Sequence, residues 1–413
     1  MRQHRFTLVP IALAALLLAA CESSDGGSSP SAGAGAGRND TAGVTDSTIA
    51  LSSSQTLSGP GAASCKGITD AAAKWFEHVN STGGVQNRKI DYTVLDDGYD
   101  PSRAIANVRT LEPKNFAMVG ACGSTTAAAI YKQLSSKGMP FLFPINGVGT
   151  LVKPATPGMF QVQPLYEDEV ATLIAYGYGE SGKGSVYTVV NPLGSYQAVI
   201  DRSKTVAEAN GGTFVGSSST ALGTADYTPI ALKIKQAKPD YVLMSMGGSD
   251  YAKLINALVA QDAMPAKLAM GVSANGAFVN AYDQSAAAKI RFASLEKLPL
   301  AADSECGKVL ADSPALAGDP SAIGGCAIAQ LITTAMQETT PLTRANVVKT
   351  LESWTGKDAV AGVIAPVTFT TSQHLGTTGL YIVQPVGKTF KTLATCPYGS
   401  DATLGKCESE GTS

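Results

Sequence analysis

The stretch VGACGSTTAAAI, Val119 to Ile130, passes from an apolar run through a glycine into three hydroxyls and then alanines. Gly123, Ser124, Thr125 and Thr126 bring backbone N–H groups and hydroxyls to a helix start. Such a start can hold a carboxylate or other anion with no arginine, although a plain N-cap uses the same residue types. Other clusters offer less. GYGESGKG, Gly177 to Gly184, nearly matches a phosphate-cradling P-loop. It ends in glycine where Ser or Thr would hold magnesium, and it follows a helix instead of a strand. No G-x-S-x-G elbow is present. His78 sits beside the Trp75/Phe76 helix stripe and His374 in a TSQHLG turn, so neither pairs with a serine in sequence. Glu167, Asp168 and Glu169 read as an exposed helix start, where acids suit the dipole. Asp96 and Asp97 read as the end of a strand. These residues point to binding, with no catalytic group, cofactor or metal site expected.

The elements that must position them alternate. TIALSSS reads as a strand, and Cys65–Asn80 as a helix with Ile68, Ala72, Trp75, Phe76 and Val79 on one side. Ile90, Tyr92 and Val94 alternate along a strand, and Asp100-Pro101 caps a helix carrying Ala104, Val108 and Leu111. Phe116–Gly120 is strand-like, Ala127–Ser136 helical and Met139–Phe143 strand-like. A second series follows: strands at Gly184–Val190, Thr213–Val215, Tyr241–Met246 and Lys267–Gly271, helices at Tyr196–Asn210, Pro229–Ala237 and Tyr251–Ala260. Two series of βα units imply an α/β protein of two doubly wound lobes, each on a parallel sheet. Helices at Ala322–Gln337 and Leu342–Trp354, the latter capped by Thr343, precede strands at Val367–Thr370 and Gly379–Val386. Beyond Ala394 the chain reads as irregular.

MRQHR followed by FTLVPIALAALLLAA has the form of a signal peptide (residues 1–20), and Leu18-Ala19-Ala20-Cys21 that of a bacterial lipobox. Cys21 is therefore the expected lipid acceptor, and the Ser/Gly/Ala-rich segment 21–45 a flexible tether. The body is expected outside the bacterial cell membrane, anchored to its outer face. Over the chain 31 Lys+Arg face 33 Asp+Glu. Without Arg2 and Arg5 the net charge is about −4, which offers nucleic acid no basic field. Cys65, Cys122, Cys306, Cys326, Cys396 and Cys407 form an even set suited to disulfides. Fifteen pairings are open; proximity favours Cys306–Cys326 and Cys396–Cys407, leaving Cys65–Cys122.

The elements LSGPGA, GGVQNRKI, DDGYDPSRA and GSTTA carry a further likeness. Over roughly residues 46–390 the chain resembles extracellular solute-binding proteins of the branched-chain amino acid ABC transporter type, the leucine/isoleucine/valine-binding family with the periplasmic binding protein type 1 fold. The resemblance implies two Rossmann-like lobes joined by a three-strand hinge: 46–163 plus 288–340, and 164–287 plus 341–390, with 391–413 as a tail. It implies a monomer without chemistry of its own, which hands a small polar solute (an amino acid, amide or related carboxylate) to an ABC permease. A sensor coupled to a membrane signalling protein is the alternative. Carried over position by position, the resemblance assigns the ligand carboxylate to Gly123, Ser124 and Thr125, with Ile145, Asn146 and Gly147 after the next strand. The family's serine falls on Gly123, so the hydroxyl has moved one place. Tyr166, Asn191, Tyr196, Gly248, Ser249 and Ser273 are the candidates from the second lobe. The family's amino-acid binders place an acid for the ligand ammonium where this chain reads Val272-Ser273-Ala274-Asn275. Asp250 or an acid of 167–169 is the replacement at hand.

Overall fold

In the computed structural model, the described residues are 40–59, 61–192, 196–398 and 407–411. The signal peptide, Cys21 and most of the expected tether lie outside them. Residues 40–45 do not belong to a tether: the Asp40 carbonyl accepts from the Arg344 N–H (2.9 Å), and Val44 bridges Ile49.

The first lobe runs β1 (Thr48–Gln55), α1 (Ala62–Ser81), β2 (Lys89–Asp96), α2 (Pro101–Leu111), β3 (Ala117–Val119), α3 (Ser124–Leu134), β4 (Phe141–Leu142) and β5 (Met159–Phe160). Its five strands are parallel in the order β2-β1-β3-β4-β5. The chain then crosses to α4 (Tyr166–Ser181), β6 (Ser185–Val190), α5 (Tyr196–Ala209), β7 (Thr213–Ser219), α6 (Thr228–Ala237), β8 (Tyr241–Ser245), α7 (Asp250–Ala260), β9 (Leu268–Gly271), α8 (Gly276–Val279) and β10 (Ile290–Ser294). These strands are parallel in the order β7-β6-β8-β9-β10. Each lobe thus repeats one winding, second-first-third-fourth-fifth, with its switch point between the first and third strands.

The chain returns through α9 (Glu305–Val309), α10 (Pro314–Ala317), α11 (Pro320–Glu338) and α12 (Arg344–Glu352) to the first lobe. There α11 packs along α1, where the Trp75 indole N–H donates to the Thr333 hydroxyl (3.0 Å). Finally β11 (Gly379–Val386), β12 (Thr389–Pro397) and β13 (Glu408–Ser409) extend the second sheet antiparallel beyond β10.

Other placements also differ from the sequence-based reading. Ile290–Ser294, assigned above to the first lobe, pairs with β9 in the second sheet. Its five residues are buried, as in a strand covered on both faces, and its pairing with β9 on one side and β11 on the other places it inside the second sheet. Helix α12, assigned to the second lobe, stays with the first: the buried Arg344 donates to the Phe116 and Asn115 carbonyls at 2.9 and 2.6 Å. The tail is not irregular, since β12 runs to Pro397 and the Cys396–Cys407 disulfide joins it to the segment bearing β13. Cys306 pairs with Cys326, and Cys65 with Cys122. Val367–Thr370 forms isolated bridges instead of a strand. Bridges between Gln161 and Leu375, and between Glu296 and Ile364, hold the three crossover segments together.

Candidate functional site

Both switch points face one cavity of about 140 Å³, lined by residues of both lobes and of the crossovers. That is where open parallel sheets bind ligands, outside the carboxyl ends of their strands. Loops following β3, β6, β8, β9 and β10 all reach it, as do the first turn of α1 and one face of α11.

The β3–α3 loop has little freedom. A buried glutamine at the end of β1 grips it: Gln55 Nε2 donates to the Gly120 carbonyl (2.5 Å), and its Oε1 accepts from the Cys122 N–H (3.1 Å). The Cys65–Cys122 disulfide ties it to α1 and itself forms part of the cavity wall. Gly123 precedes the helix with φ 116° and no side-chain cap. A Cβ there would stand 2.7 Å from the Thr126 hydroxyl and 2.9 Å from the Tyr99 ring. This explains why the first hydroxyl stands at 124. Ser124 and Thr125 open α3 instead of capping it, and Thr126 Oγ1 turns back to the Cys122 and Gly123 carbonyls (3.3 and 3.2 Å). Of the three hydroxyl residues, only Ser124 lines the cavity.

Two tyrosines close around that helix start. Tyr99 lies within hydrogen-bonding reach of the Ser124 N–H and the Thr125 hydroxyl; burial, then the neighbouring Tyr166, pushes its phenol up to about 12. Tyr166, at the start of α4, reaches the Ser124 hydroxyl, and burial raises its pKa too. Both phenols therefore stay neutral hydrogen-bonding groups at physiological pH. Tyr166 sits against Gly147, where a Cβ would come within 2.4 Å of its ring. Gly147 thus seats the tyrosine from beneath and does not line the cavity. Asn146 Oδ1 accepts from the Val148 N–H (2.9 Å), while its buried Nδ2 has no partner among the described residues. Ile145 lines the cavity.

In the second lobe Asn191 does for its loop what Gln55 does in the first. Its Nδ2 donates to the Thr220 carbonyl (3.0 Å) and its Oδ1 accepts from the Gly247 N–H (2.8 Å). Asn191, Tyr196, Gly248 and Ser273 line the cavity, whereas Ser249 is the N-terminal flank of α7. Tyr196 is 42% exposed.

The acids fall differently from their sequence reading. Asp168 and Glu169 are not an exposed helix start but 4% and 0% exposed. The cause is that α4 turns this face inward: Asp168 accepts from the Tyr398 hydroxyl (2.8 Å), and Glu169 from the Ser273 N–H (3.0 Å). Asp250 is occupied by Lys253 (3.1 Å) and the Gly223 N–H (2.8 Å). None of these lines the cavity. The acid that does is Glu296, two residues past β10 on a crossover. Burial pushes its carboxyl up to about 7, with Asp319 adding to the effect. Sequence reading also missed Ser64, Tyr99, Gln163, Asn275 and Ser321. The signal for Glu296 was present, an acid just beyond a short apolar strand, but the strand itself went unassigned. Among the described residues, no Lys, Arg or His lines the cavity, and no cluster suited to a metal occurs.

Two α/β lobes hinged about a cleft at both switch points define a solute-binding protein. The sequence matches the Periplasmic binding protein family over residues 48–389, and the chain belongs to it. It is accordingly a binding protein and not an enzyme. No curated protein matches it. Among solved structures, it is similar to a fatty acid ABC transporter substrate-binding protein from Thermomonospora curvata, at 22% identity and TM-score 0.77, covering 89% of this chain and 96% of that one. A branched chain amino acid ABC transporter from Thermus thermophilus with bound valine follows the same fold at 17% identity and TM-score 0.76, covering 87% and 98%. A possible leucine/isoleucine/valine-binding protein from Rhodopirellula baltica SH 1 does so at 18% and 0.72, covering 87% and 98%.

Proposed function

We propose that the protein is tethered by lipid at Cys21 to the outer face of the cell membrane, captures a small polar solute between its lobes, and passes it to an ABC importer permease. The solute is an amino acid, an amide or a related carboxylate. The observation that carries this reading is the chemistry of the cavity wall: a helix start with Ser124 and two neutral tyrosines for an acceptor-rich end, and no basic side chain among the described residues. A cavity of about 140 Å³ is comparable to those that take up a benzene-sized molecule, which favours a compact solute over a long acyl chain. Closure about the hinge would exclude water and strengthen each polar contact.

A thermal-shift screen against amino acids, amides, polyamines and aromatic acids tests the site. The pair Ser124→Ala and Thr125→Ala is expected to abolish the ligand-induced rise in Tm, on top of a modest fall in the unliganded Tm as the Tyr166 and Tyr99 phenols lose their hydroxyl partners. Undiminished binding in that variant would place the pocket elsewhere. Loss of solute uptake on deletion, with no loss of a signalling response, separates delivery from sensing.

A further inference from the structure

Glu296 has an environment that no structural role accounts for. Its side chain is 7% exposed, yet it makes no ion pair among the described residues. Oε2 accepts from the Ser294 hydroxyl (3.0 Å). Oε1 lies against Gly324 of α11, where any Cβ would come within 2.5 Å of it. A glycine in mid-helix costs about 1 kcal/mol of helix propensity against alanine, and here it leaves the space that the carboxyl fills. The groups facing Glu296 from the packed elements are all acids or phenols: Asp319 at the start of α11, Glu169 on α4 and Tyr381 on β11. Lys297, next in sequence, turns away to Glu410 (2.9 Å). On the same cavity wall, the Ser64 hydroxyl is buried without a hydrogen-bond partner. A buried carboxyl without a counter-charge is costly, and a cation supplied by the solute would remove that cost.

We infer that Glu296 is the specificity-determining residue of the cleft and that it binds the amino group of the solute. The inference rests on the solute-binding reading above and narrows it to amine-bearing solutes. It places the ammonium contact on the crossover after β10, whereas the position after β9 offers Ser273. Capture of an ammonium also couples binding to pH. When Glu296 is protonated, the arriving cation displaces its proton to solvent, so one proton leaves per solute bound. With the carboxyl titrating at about 7, affinity for an amino acid falls roughly tenfold between pH 8 and pH 6.

The experiment uses isothermal titration of the purified protein with the twenty standard L-amino acids, their des-amino carboxylic acids and the matching primary amines. Titrations run at pH 6, 7 and 8 in two buffers of different ionisation enthalpy. The expected result is binding by at least one amino compound, at least ~100-fold weaker binding of its des-amino counterpart, and proton release that grows towards pH 6. Glu296→Gln is expected to lose ~100-fold in affinity for the amino compound and to flatten its pH dependence. Gly324→Ala, which presses on the same carboxyl from α11, should weaken binding in the same direction. Equal affinity for amino and des-amino compounds, or wild-type affinity and pH dependence in Glu296→Gln, overturns the inference and leaves solute binding standing. If the broader screen of amides, polyamines and aromatic acids also finds nothing that binds, the solute-binding reading falls and the role of Glu296 with it.

Discussion

Replacing Glu296 by glutamine should change the stability of the protein in a pH-dependent way even with no solute present. Burial raises its pKa from 4.5 to about 7. The folded chain therefore holds this proton more tightly than the unfolded chain does. The stabilising advantage of the protonated carboxyl is complete below pH 4.5 and is lost as pH rises through 7. At 1.36 kcal/mol per unit, the loss amounts to about 3 kcal/mol. Glutamine keeps the shape and can still accept from Ser294, but it has no charge to bury. The stability of Glu296→Gln relative to wild type should therefore climb by about 1.4 kcal/mol per pH unit between 4.5 and 7, then level off about 3 kcal/mol above its acid value. For a folded body of roughly 360 residues, an unfolding entropy near 2.1 cal/mol/K per residue converts this to a relative Tm rise of ~4 °C. Urea unfolding at pH 5, 6, 7 and 8 measures the difference directly, and Asp319, Glu169 and the other buried acids largely cancel between the two proteins. A difference that stays flat from pH 5 to pH 8 would refute the account of Glu296 as a buried, unpaired carboxyl.

Two further perturbations probe how the loop bearing Ser124 is held. Removing the Cys65–Cys122 bridge with serines at both positions releases a loop of 57 residues' separation, which in the chain-entropy model costs roughly 4 kcal/mol. Chemical denaturation checks that figure, and mass mapping of a non-reduced digest checks the pairing. Gln55→Ala leaves the Gly120 carbonyl and the Cys122 N–H without their buried partner and should cost about 2 kcal/mol. It should also weaken solute binding without touching the solute, and wild-type affinity in that variant would show that the loop holds its shape unaided.

The winding of the two lobes was legible because short apolar runs alternate with 3.6-residue stripes, and caps such as Asp100 and Thr343 mark where helices begin. Both caps accept from the backbone N–H two or three residues on, at 2.7 and 3.2 Å. The lobe boundaries were not legible, and the reason is specific. Ile290–Ser294 is fully buried and only five residues long, so nothing in its own pattern says which of two sheets it joins. That is decided by its register against β9, a long-range pairing. Similarly, the helix Leu342–Trp354 carries no sign of its lobe in its own pattern, and only the bonds from Arg344 to the Asn115 and Phe116 carbonyls tie it to the first lobe.

The candidate site divides along the same line. Among the residues named from sequence just after strands, Ser124, Ile145, Asn191, Gly248 and Ser273 line the cavity while Thr125, Asn146, Gly147 and Ser249 do not, because a strand's direction fixes which loop reaches the cleft but not which side chain turns into it. Two residues at helix starts, Tyr166 and Tyr196, also line it, whereas Ser64 and Ser321, on the faces of α1 and α11, and Glu296, on a crossover, were not singled out. Glu296 sits beyond the strand whose membership was undecided, and its fit depends on Gly324, 28 positions later and in the other lobe's helix layer. In the linear sequence Gly324 is one of 43 glycines, and it falls in a helix where a glycine only lowers propensity. Once α11 packs against α1 and the crossover runs beside it, that missing Cβ becomes the space for a carboxyl facing the cleft. The unfavourable glycine in α11 then has a physical explanation: it leaves the space that the Glu296 carboxyl fills, so that the acid lining the cleft sits on the crossover after β10 while the position after β9 carries Ser273.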